Sequence, residues 1–190
     1  MQLAIKNMVC DRCIRVVRED LETLGLTVGP VQLGTATVEG ELTGEQLSAV
    51  KQRLEASGFE LLDDPRLRLV EYMKTLIIDE IQYLKGHKPE HQNFSDYLAE
   101  KCGYEYSYLS HLFSSETGST IEQYIIAQKV EKVKEWLSYG ELSQSEIAWR
   151  LGYSSAAHLS NQFKKVTGQT PGQYKKEAGS GRKTLDRVGS

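Results

Sequence analysis

Two cysteines near the start of the 190-residue sequence have the spacing and chemistry of a metal or redox site. Cys10 and Cys13 stand between a predicted strand and a predicted helix, and a two-residue gap lets both sulfurs turn toward one point. The amino end of a helix stabilises thiolate charge. Two thiolates with no nearby histidine suit a soft, low-coordinate ion such as Cu(I). Zn(II) usually takes four ligands, so it would need donors from a second copy or from Asp11.

A duplicated segment in the second half of the sequence is the other candidate site. The copies are YLAEKCGYEYSYLSHLFSSETGSTIEQY and EIAWRLGYSSAAHLSNQFKKVTGQTPGQY. Gly103 aligns with Gly152 at an offset of 49 residues, and Phe113 aligns with Phe163 at an offset of 50 after a one-residue insertion. Each copy predicts a short helix, a sharp turn at the glycine and a second helix.

The second helix of each copy is predicted to have one apolar face and one polar face. Leu109, Leu112 and Phe113 share a face in the first copy, as Leu159 and Phe163 do in the second. A helix about 10 Å wide with short polar side chains on its open side has the shape that enters a DNA major groove. The polar faces carry Ser107, Ser110, His111 and Ser114 in the first helix and Ser160, Asn161 and Lys164 in the second.

A long helix is predicted between the two copies. Residues 120–138 keep a helical apolar pattern without glycine or proline. Successive major grooves on one face of a duplex lie about 34 Å apart. We therefore expect a rigid connector that fixes the spacing of the two second helices.

Composition limits the function classes. Hydrophobic residues make up 39% of the chain and charged residues 26%, which favours a folded core. The net charge of −3 excludes a basic coat over the whole chain, so any anionic polymer must meet a locally basic face. There is no apolar run of membrane length and no secretory signal, and only three cysteines occur. We therefore predict a cytoplasmic protein without a membrane partner.

The elements that position the cysteine pair follow the order β-α-β-β-α-β within residues 1–63. A first strand leads into a helix that opens at CDRC and ends at Gly25. Two β-branched runs around Gly34 predict a hairpin, Thr43 caps the next helix, and FELL is the last strand. This order is that of a ferredoxin-like unit.

Four segments are predicted along the chain: a ferredoxin-like domain over 1–63, a connecting helix and linker over 64–92, a helical domain over 93–178 and a flexible tail over 179–190. The connecting helix is expected to run over 65–84. Its apolar stripe predicts either a homodimer through this helix or packing against a flanking domain. The stripe consists of Val70, Met73, Ile77, Ile81 and Leu84.

Residues 93–176 resemble the DNA-binding domain of AraC/XylS-type transcription regulators, in which a long helix joins two helix-turn-helix motifs. LAEKCGYEYSYLSHLF and LSQSEIAWRLGYSSAAHLSNQFKKVTGQTPGQY carry the resemblance. It implies an all-α double helix-turn-helix domain whose partner is double-stranded promoter DNA. The implied base-reading residues are Ser107, Ser110, His111, Ala157, Ser160 and Asn161, and the implied phosphate contacts are Lys164, Lys165 and, more weakly, Ser114.

The first motif departs from that family in its charge. Family members often carry a basic residue at the place of His111 and further lysine or arginine just after Phe113, where Ser114 and Ser115 stand here. A histidine contact to guanine is weaker than a bidentate arginine contact. We expect the second motif to bind phosphates more strongly than the first.

Residues 1–63 resemble the heavy-metal-associated domain of copper chaperones and metal-pumping ATPases. The family loop is commonly Gly-Met-Thr-Cys-x-x-Cys, and Met8, Cys10 and Cys13 match it, whereas the glycine and the threonine do not. The resemblance implies that Met8 is a buried anchor below the loop. Thiol redox sensing, and a retained fold with idle thiols, remain the alternatives to metal binding.

Together these features predict a metal-responsive transcription regulator with an α+β domain followed by an all-α domain. The alternative is a metal-trafficking or thiol-redox protein whose helical half docks a protein partner. No catalytic residues are predicted, because the sequence holds no convincing Ser-His-Asp set, carboxylate pair or phosphate loop. The aromatic residues Trp136, Trp149, Tyr124, Tyr174, Phe113 and Phe163 are predicted to lie in the core.

Overall fold

Six elements at the start of the chain follow the predicted strand and helix order. The central strand β1 ends at Lys6, earlier than the sequence indicates, because Asn7 turns the chain with a φ of 72°. The assignment to the ferredoxin-like class stays a prediction. The elements are β1 (Gln2–Lys6), α1 (Asp11–Thr23), β2 (Val28–Gln32), β3 (Thr35–Val38), α2 (Gly44–Ala56) and β4 (Glu60–Leu62).

The four strands form one antiparallel sheet in the order β2-β3-β1-β4. Alternate residues of β1 face the core, where Leu3 and Ile5 are buried. Helices α1 and α2 contact each other and contact β2 and β4 respectively. Their buried residues Val17, Leu21, Val50 and Leu54 are completely covered, so this layer of two helices holds the start of α1 in place.

Two polar features fix the helices of this layer. The buried carboxylate of Asp20 accepts hydrogen bonds from Arg53 Nε at 2.6 Å and from Ser57 Oγ, so α1 and the end of α2 are joined. Thr43 caps α2, as predicted. The capping box is completed by Gln46, whose side chain accepts from the Thr43 N–H at 2.9 Å.

Helix α3 (Pro65–Ile81) is shorter than the predicted helix over 65–84. The chain reverses at Leu84, which has a φ of 50°. The returning backbone N–H of Lys85 donates to Asp79 O at 3.2 Å, and Lys85 Nζ lies 2.8 Å from Asp79 Oδ1. These contacts give hydrogen-bond and ion-pair partners to Asp79 in the last turn of α3. The partners come from outside the helix, which therefore stops before Leu84.

The apolar stripe of α3 is covered within a single chain. Val70, Met73, Ile77 and Ile81 are each 3% exposed or less. Only Leu84, beyond the helix, is exposed. The burial supports packing inside the chain and leaves this stripe unavailable to a second copy, so the predicted homodimer through 65–84 is not supported.

After α3, the regular elements of the described residues are all helices. The structure, a computed structural model, describes residues 1–89 and 92–176, and the tail predicted over 179–190 lies outside them. In this described part no helix has both the length and the apolar character needed to cross a bilayer. The helices are α4 (Phe94–Cys102), α5 (Tyr106–Thr117), α6 (Ile121–Tyr139), α7 (Gln144–Arg150), α8 (Ala156–Thr167) and α9 (Pro171–Lys176).

The chain packs as two compact units. Of the described residues, the first contains 1–77, 88–89 and 92–112, and the second contains 78–87 and 113–176. The predicted domain boundaries stay predictions.

One aromatic residue departs from its predicted place in the core. Trp149 is 77% exposed. It lies about 200° around α7 from the buried Ile147, on the side of the helix that faces away from the core. Trp136 is half-buried, with Lys132 Nζ 5.2 Å from its ring centre.

Candidate nucleic-acid interface and thiol site

The turn between the two helices of each motif is made by the predicted glycine. Gly103 and Gly152 have φ angles of 72° and 69°, in the left-handed region that favours glycine. The Gly103 N–H donates to Ala99 O at 2.9 Å, and the Gly152 N–H donates to Trp149 O at 3.0 Å. Each turn therefore closes the preceding helix and starts the next one at a sharp angle.

Helix α5 of the first motif buries its predicted apolar face. Leu109, Leu112 and Phe113 are at most 2% exposed. The opposite face is at the surface, with Ser107 and His111 exposed and with Ser110 and Ser114 half-buried. All four predicted DNA contacts of this helix are therefore placed on one accessible face.

Helix α8 of the second motif is arranged in the same way. Leu159 and Phe163 are each 1% exposed. Ser155 caps the helix by accepting the N–H of His158 at 3.1 Å, a role that the sequence prediction missed, although a serine before an apolar periodic run is its usual signal. The predicted contacts lie on the accessible side: Ala157, Asn161, Lys164 and Lys165 are exposed and Ser160 is half-buried.

The same two kinds of contact, an aromatic pair and a threonine hydrogen bond, stabilise the carboxyl-terminal ends of α5 and α8. The Phe113 and Tyr124 ring centres are 5.6 Å apart, and the Phe163 and Tyr174 ring centres are 5.7 Å apart. Thr117 Oγ1 donates to the carbonyl of the first phenylalanine at 2.8 Å, and Thr167 Oγ1 does the same in the second motif at 2.8 Å. The duplication seen in the sequence is therefore also a duplication of internal contacts.

The charge of the two helices differs. The last turn of α5 contains no basic residue, whereas the last turn of α8 contains Lys164 and Lys165. The connector α6 is one uninterrupted helix of 19 residues, as the sequence predicts. The spacing of α5 and α8 on a duplex stays a prediction.

The cysteine pair lies at the start of α1. Cys10 is the N-cap residue, and its Sγ lies 3.3 Å from the Sγ of Cys13. Both thiols are partly exposed, and Met8 beneath the loop is buried at 3% exposure, as expected. Asn7 adopts a φ of 72° and donates from Nδ2 to Gly58 O at 3.1 Å, which anchors the loop to the end of α2.

The two thiols have different acidities. Burial opposes ionisation of Cys10, but hydrogen bonds from Cys13 and Arg12 outweigh it and lower the pKa of Cys10 below its usual value. Burial, together with the neighbouring Cys10 thiol, raises the pKa of Cys13. Cys10 is therefore the thiol that ionises first.

The donor set of this loop fits a soft ion of low coordination number. Two sulfurs converge at the surface, and a helix amino end favours negative charge there. Among residues 1–89 and 92–176, no group of three or more His, Cys, Asp or Glu side chains is arranged to hold a metal ion. A four-coordinate Zn(II) site would therefore need ligands beyond this pair.

Residues 98–177 match the family described as "Helix-turn-helix domain". This segment is similar to that family. The match begins within α4 and continues through α5, the connector α6 and the second motif, so the coarser prediction of an AraC-type helix-turn-helix domain is confirmed for this segment.

Similar proteins match about half of the chain. The chain is 30% identical over 101 residues to the uncharacterized HTH-type transcriptional regulator YtdP of Bacillus subtilis strain 168, which is 53% of this chain and 13% of that protein. It is 28% identical over 104 residues to the uncharacterized HTH-type transcriptional regulator YdiP of Escherichia coli strain K12, which is 55% of this chain and 34% of that protein. The chain thus spans about a third or less of these relatives' own lengths.

One similar solved structure is the C-terminal domain of AraT, a response regulator from Geobacillus stearothermophilus. It is 28% identical, covers 60% of this chain and 86% of its own, and superposes with a TM-score of 0.48.

Proposed function

We propose that this protein is a sequence-specific DNA-binding transcription regulator that acts in the cytoplasm. The observation that carries the proposal is the accessible polar face of α5 and of α8, each opposite a buried apolar face within one helix-turn-helix domain. Matched relatives are named transcriptional regulators, and no enzymatic activity is proposed.

The side chains on these faces set the proposed contacts. Asn161 has the amide that pairs in a bidentate way with adenine in the major groove. Ser110 and Ser160 offer hydroxyl groups that accept or donate, and His111 offers a ring nitrogen to guanine. Lys164 and Lys165 are proposed to bind phosphates and so to orient α8 on the duplex. The remaining proposed contacts are Ser107, Ser114 and Ala157.

Selection from a random duplex library tests this proposal. We expect enrichment of one sequence family, and binding to it that weakens as salt rises. Asn161→Ala is expected to weaken binding to the selected duplex by about 5- to 100-fold. Its affinity for scrambled duplexes should change little. Gln52→Ala, which removes an exposed amide on α2, is the matched control and should bind as the wild type does. Absence of enrichment and of salt-dependent affinity would remove the proposal.

We further propose that Cys10 and Cys13 bind a soft metal, with Cu(I) as the preferred ion, and that binding changes operator affinity. The supporting observation is the convergence of the two thiols at the start of α1. The β-α-β-β-α-β order and the Met8-x-Cys10-x-x-Cys13 loop support assignment to the ferredoxin-like, heavy-metal-associated class. A bound metal can shift DNA affinity only by its preference for one conformation over another.

Competition with a chromophoric Cu(I) chelator tests the metal site. The wild type should withdraw Cu(I) from the chelator, whereas Cys10→Ser, Cys13→Ser and the double variant should not. Cys102→Ser is the matched control, because it removes a cysteine of the first unit that lies outside the loop. Equal competition by the wild type and the double variant would exclude the site.

Operator affinity with and without Cu(I) tests the response. Equal affinities would remove the metal-response proposal and leave DNA binding intact. Cu(I) binding without any DNA affinity would instead favour the metal-trafficking alternative.

A further inference from the structure

The two helix-turn-helix motifs share an aromatic pair that the assigned DNA contacts do not use. Alignment of the duplicated segments places Tyr104 opposite Tyr153 and, after the insertion, Tyr108 opposite His158. The Tyr104 and Tyr108 ring centres are 5.2 Å apart, and the Tyr153 and His158 ring centres are 5.3 Å apart. The pairing is therefore kept although the ring type at the second position has changed.

The second ring of each pair lies at the edge of the proposed DNA-binding face. Tyr108 is one turn before His111 on α5, and His158 is one turn before Asn161 on α8. Tyr108 is 46% exposed, and His158 is also exposed. A residue at the edge of a helix that enters a groove meets the wall of the groove, where the phosphates are, and not its floor.

Both side chains can present a hydrogen-bond donor from a fixed ring. The phenol of Tyr108 is a donor, and the Tyr104 ring packs beside it. His158 Nδ1 lies 3.1 Å from Ser154 Oγ. When that hydroxyl donates to Nδ1, the ring hydrogen is on Nε2, which becomes the donor. Each ring has only two rotatable bonds, so ordering it on a partner costs little entropy.

We propose that Tyr108 and His158 are two further DNA-contacting residues, each donating one hydrogen bond to a phosphate oxygen at the groove wall. Tyr104 and Tyr153 are positioning residues that hold these rings. This inference rests on the proposed DNA-binding function and adds one contact at the same place in each motif. Because a phenol donor carries no charge, the Tyr108 contact orients its helix without releasing counterions.

Variants that keep an aromatic ring separate the effect of losing a hydrogen-bond donor from the effect of losing the ring. Tyr108→Phe removes a hydroxyl and His158→Phe removes a ring donor, while both keep an aromatic ring against its partner. Each is expected to weaken binding about 3- to 10-fold, equally on selected and scrambled duplexes. For Tyr108→Phe, the slope of log affinity against log salt should not change, unlike that of a lysine variant. Tyr139→Phe is the matched control, because it removes a phenol that is 63% exposed at the end of α6 and belongs to neither α5 nor α8.

Neutral methylphosphonate linkages identify the partner atom. The wild type should lose affinity at several linkages, including those that the lysines contact. For each motif, one of these linkages should cost the matching variant nothing further. The inference would be overturned if the losses from the linkage and from the variant added together. It would also be overturned if both variants bound a selected duplex with wild-type affinity. If the wild type binds no duplex, the proposed function fails together with the inference. An unchanged unfolding midpoint for each variant confirms that folding is not the cause of any loss.

Discussion

The two helix-turn-helix motifs have the same internal construction and different surfaces. Phenylalanine and tyrosine rings pair at 5.6 and 5.7 Å, and a threonine hydroxyl donates to the same carbonyl in each motif at 2.8 Å. Thr120 caps α6 and Thr170 accepts the N–H of Gln173 at the start of α9. The aromatic pairs lie inside the fold, where any change in volume is felt by close-packed neighbours.

The surfaces of the two motifs differ in their charge and in the exposure of an aligned tyrosine. Helix α8 carries Lys164 and Lys165 where α5 carries Ser114 and Ser115. Tyr153 is only 9% exposed, with Lys129 Nζ 5.0 Å from its ring centre, whereas Tyr104 is 53% exposed. The comparison separates the internal contacts that fold a motif, which are duplicated, from the charge and exposure of its surface, which differ.

The largest expected effect comes from variants that remove an internal contact common to both motifs. Phe113→Ala and Phe163→Ala should each lower the free energy of unfolding by about 3–5 kcal/mol, because each removes a buried ring that packs on a tyrosine. Both tryptophans, Trp136 and Trp149, belong to the same unit as these rings, so urea unfolding followed by tryptophan fluorescence reports both losses. Losses that differ by several kcal/mol would show that the two motifs are not braced alike.

The next effect tests the difference in charge. Replacing Lys164 and Lys165 by glutamine should lower the slope of log affinity against log salt by about 0.9 for each phosphate that a lysine no longer neutralises. Ser114→Ala and Ser115→Ala, at the equivalent places in the first motif, are the matched pair and should leave the slope unchanged. Fluorescence anisotropy over a salt series measures both. Equal slopes for the lysine and serine variants would contradict the assignment of phosphate binding to α8.

The buried tyrosine of the second motif provides a smaller, pH-dependent effect. Burial raises the pKa of Tyr153 to about 12 from its ordinary value of 10. The fold therefore favours the neutral phenol, so this contribution to stability is complete below pH 10 and is lost as pH rises from 10 toward 12. Tyr153→Phe, which cannot ionise, should unfold less readily than the wild type over this range, by up to about 2 kcal/mol.

Urea unfolding at several alkaline pH values measures this difference. Tyr104→Phe is the matched control, because Tyr104 is largely exposed in the first motif. A wild type and a Tyr153→Phe variant with the same alkaline dependence would show that burial of this phenol does not matter to stability.

Local signals predicted much of this fold. Glycine at a sharp turn and apolar residues at helical spacing depend on nearby residues only, so Gly103, Gly152 and the buried face of α8 were predicted from the sequence. The strand and helix order of residues 1–63 and the exposure of the polar helix faces followed from the same signals.

Contacts distant in sequence were not predictable in this way. The end of α3 at Ile81 depends on the returning Lys85 and on Gln82, whose side chain donates to Gln128 O at 2.9 Å, 46 residues away. The exposure of Trp149 depends on which side of a seven-residue helix meets the core, and its aromatic type alone suggested the opposite. The aromatic pairs of the two motifs needed both an alignment of the duplicated segments and the ring positions.

The smallest expected effect returns to the feature that the motifs share most closely, the turn glycine. A Cβ added at Gly103 or at Gly152 would meet no atom within 4 Å, so the cost of alanine there is the strain of a left-handed backbone alone. That strain is about 1–2 kcal/mol, partly offset by the smaller entropy of the unfolded alanine chain. We therefore expect Gly103→Ala and Gly152→Ala to lose about 1 kcal/mol each, as measured by urea unfolding followed by far-UV circular dichroism.

Asparagine tolerates the left-handed region better than alanine does, so Gly103→Asn and Gly152→Asn should lose less than the alanine variants. Gly44→Ala is the matched control, since it has equal space and no positive φ and should cost nothing. Alanine and asparagine variants of equal stability would mean that backbone strain does not set the cost. A loss of stability confined to one motif would show that only that turn depends on its glycine. The two motifs would then share their buried contacts but not the requirement at the turn.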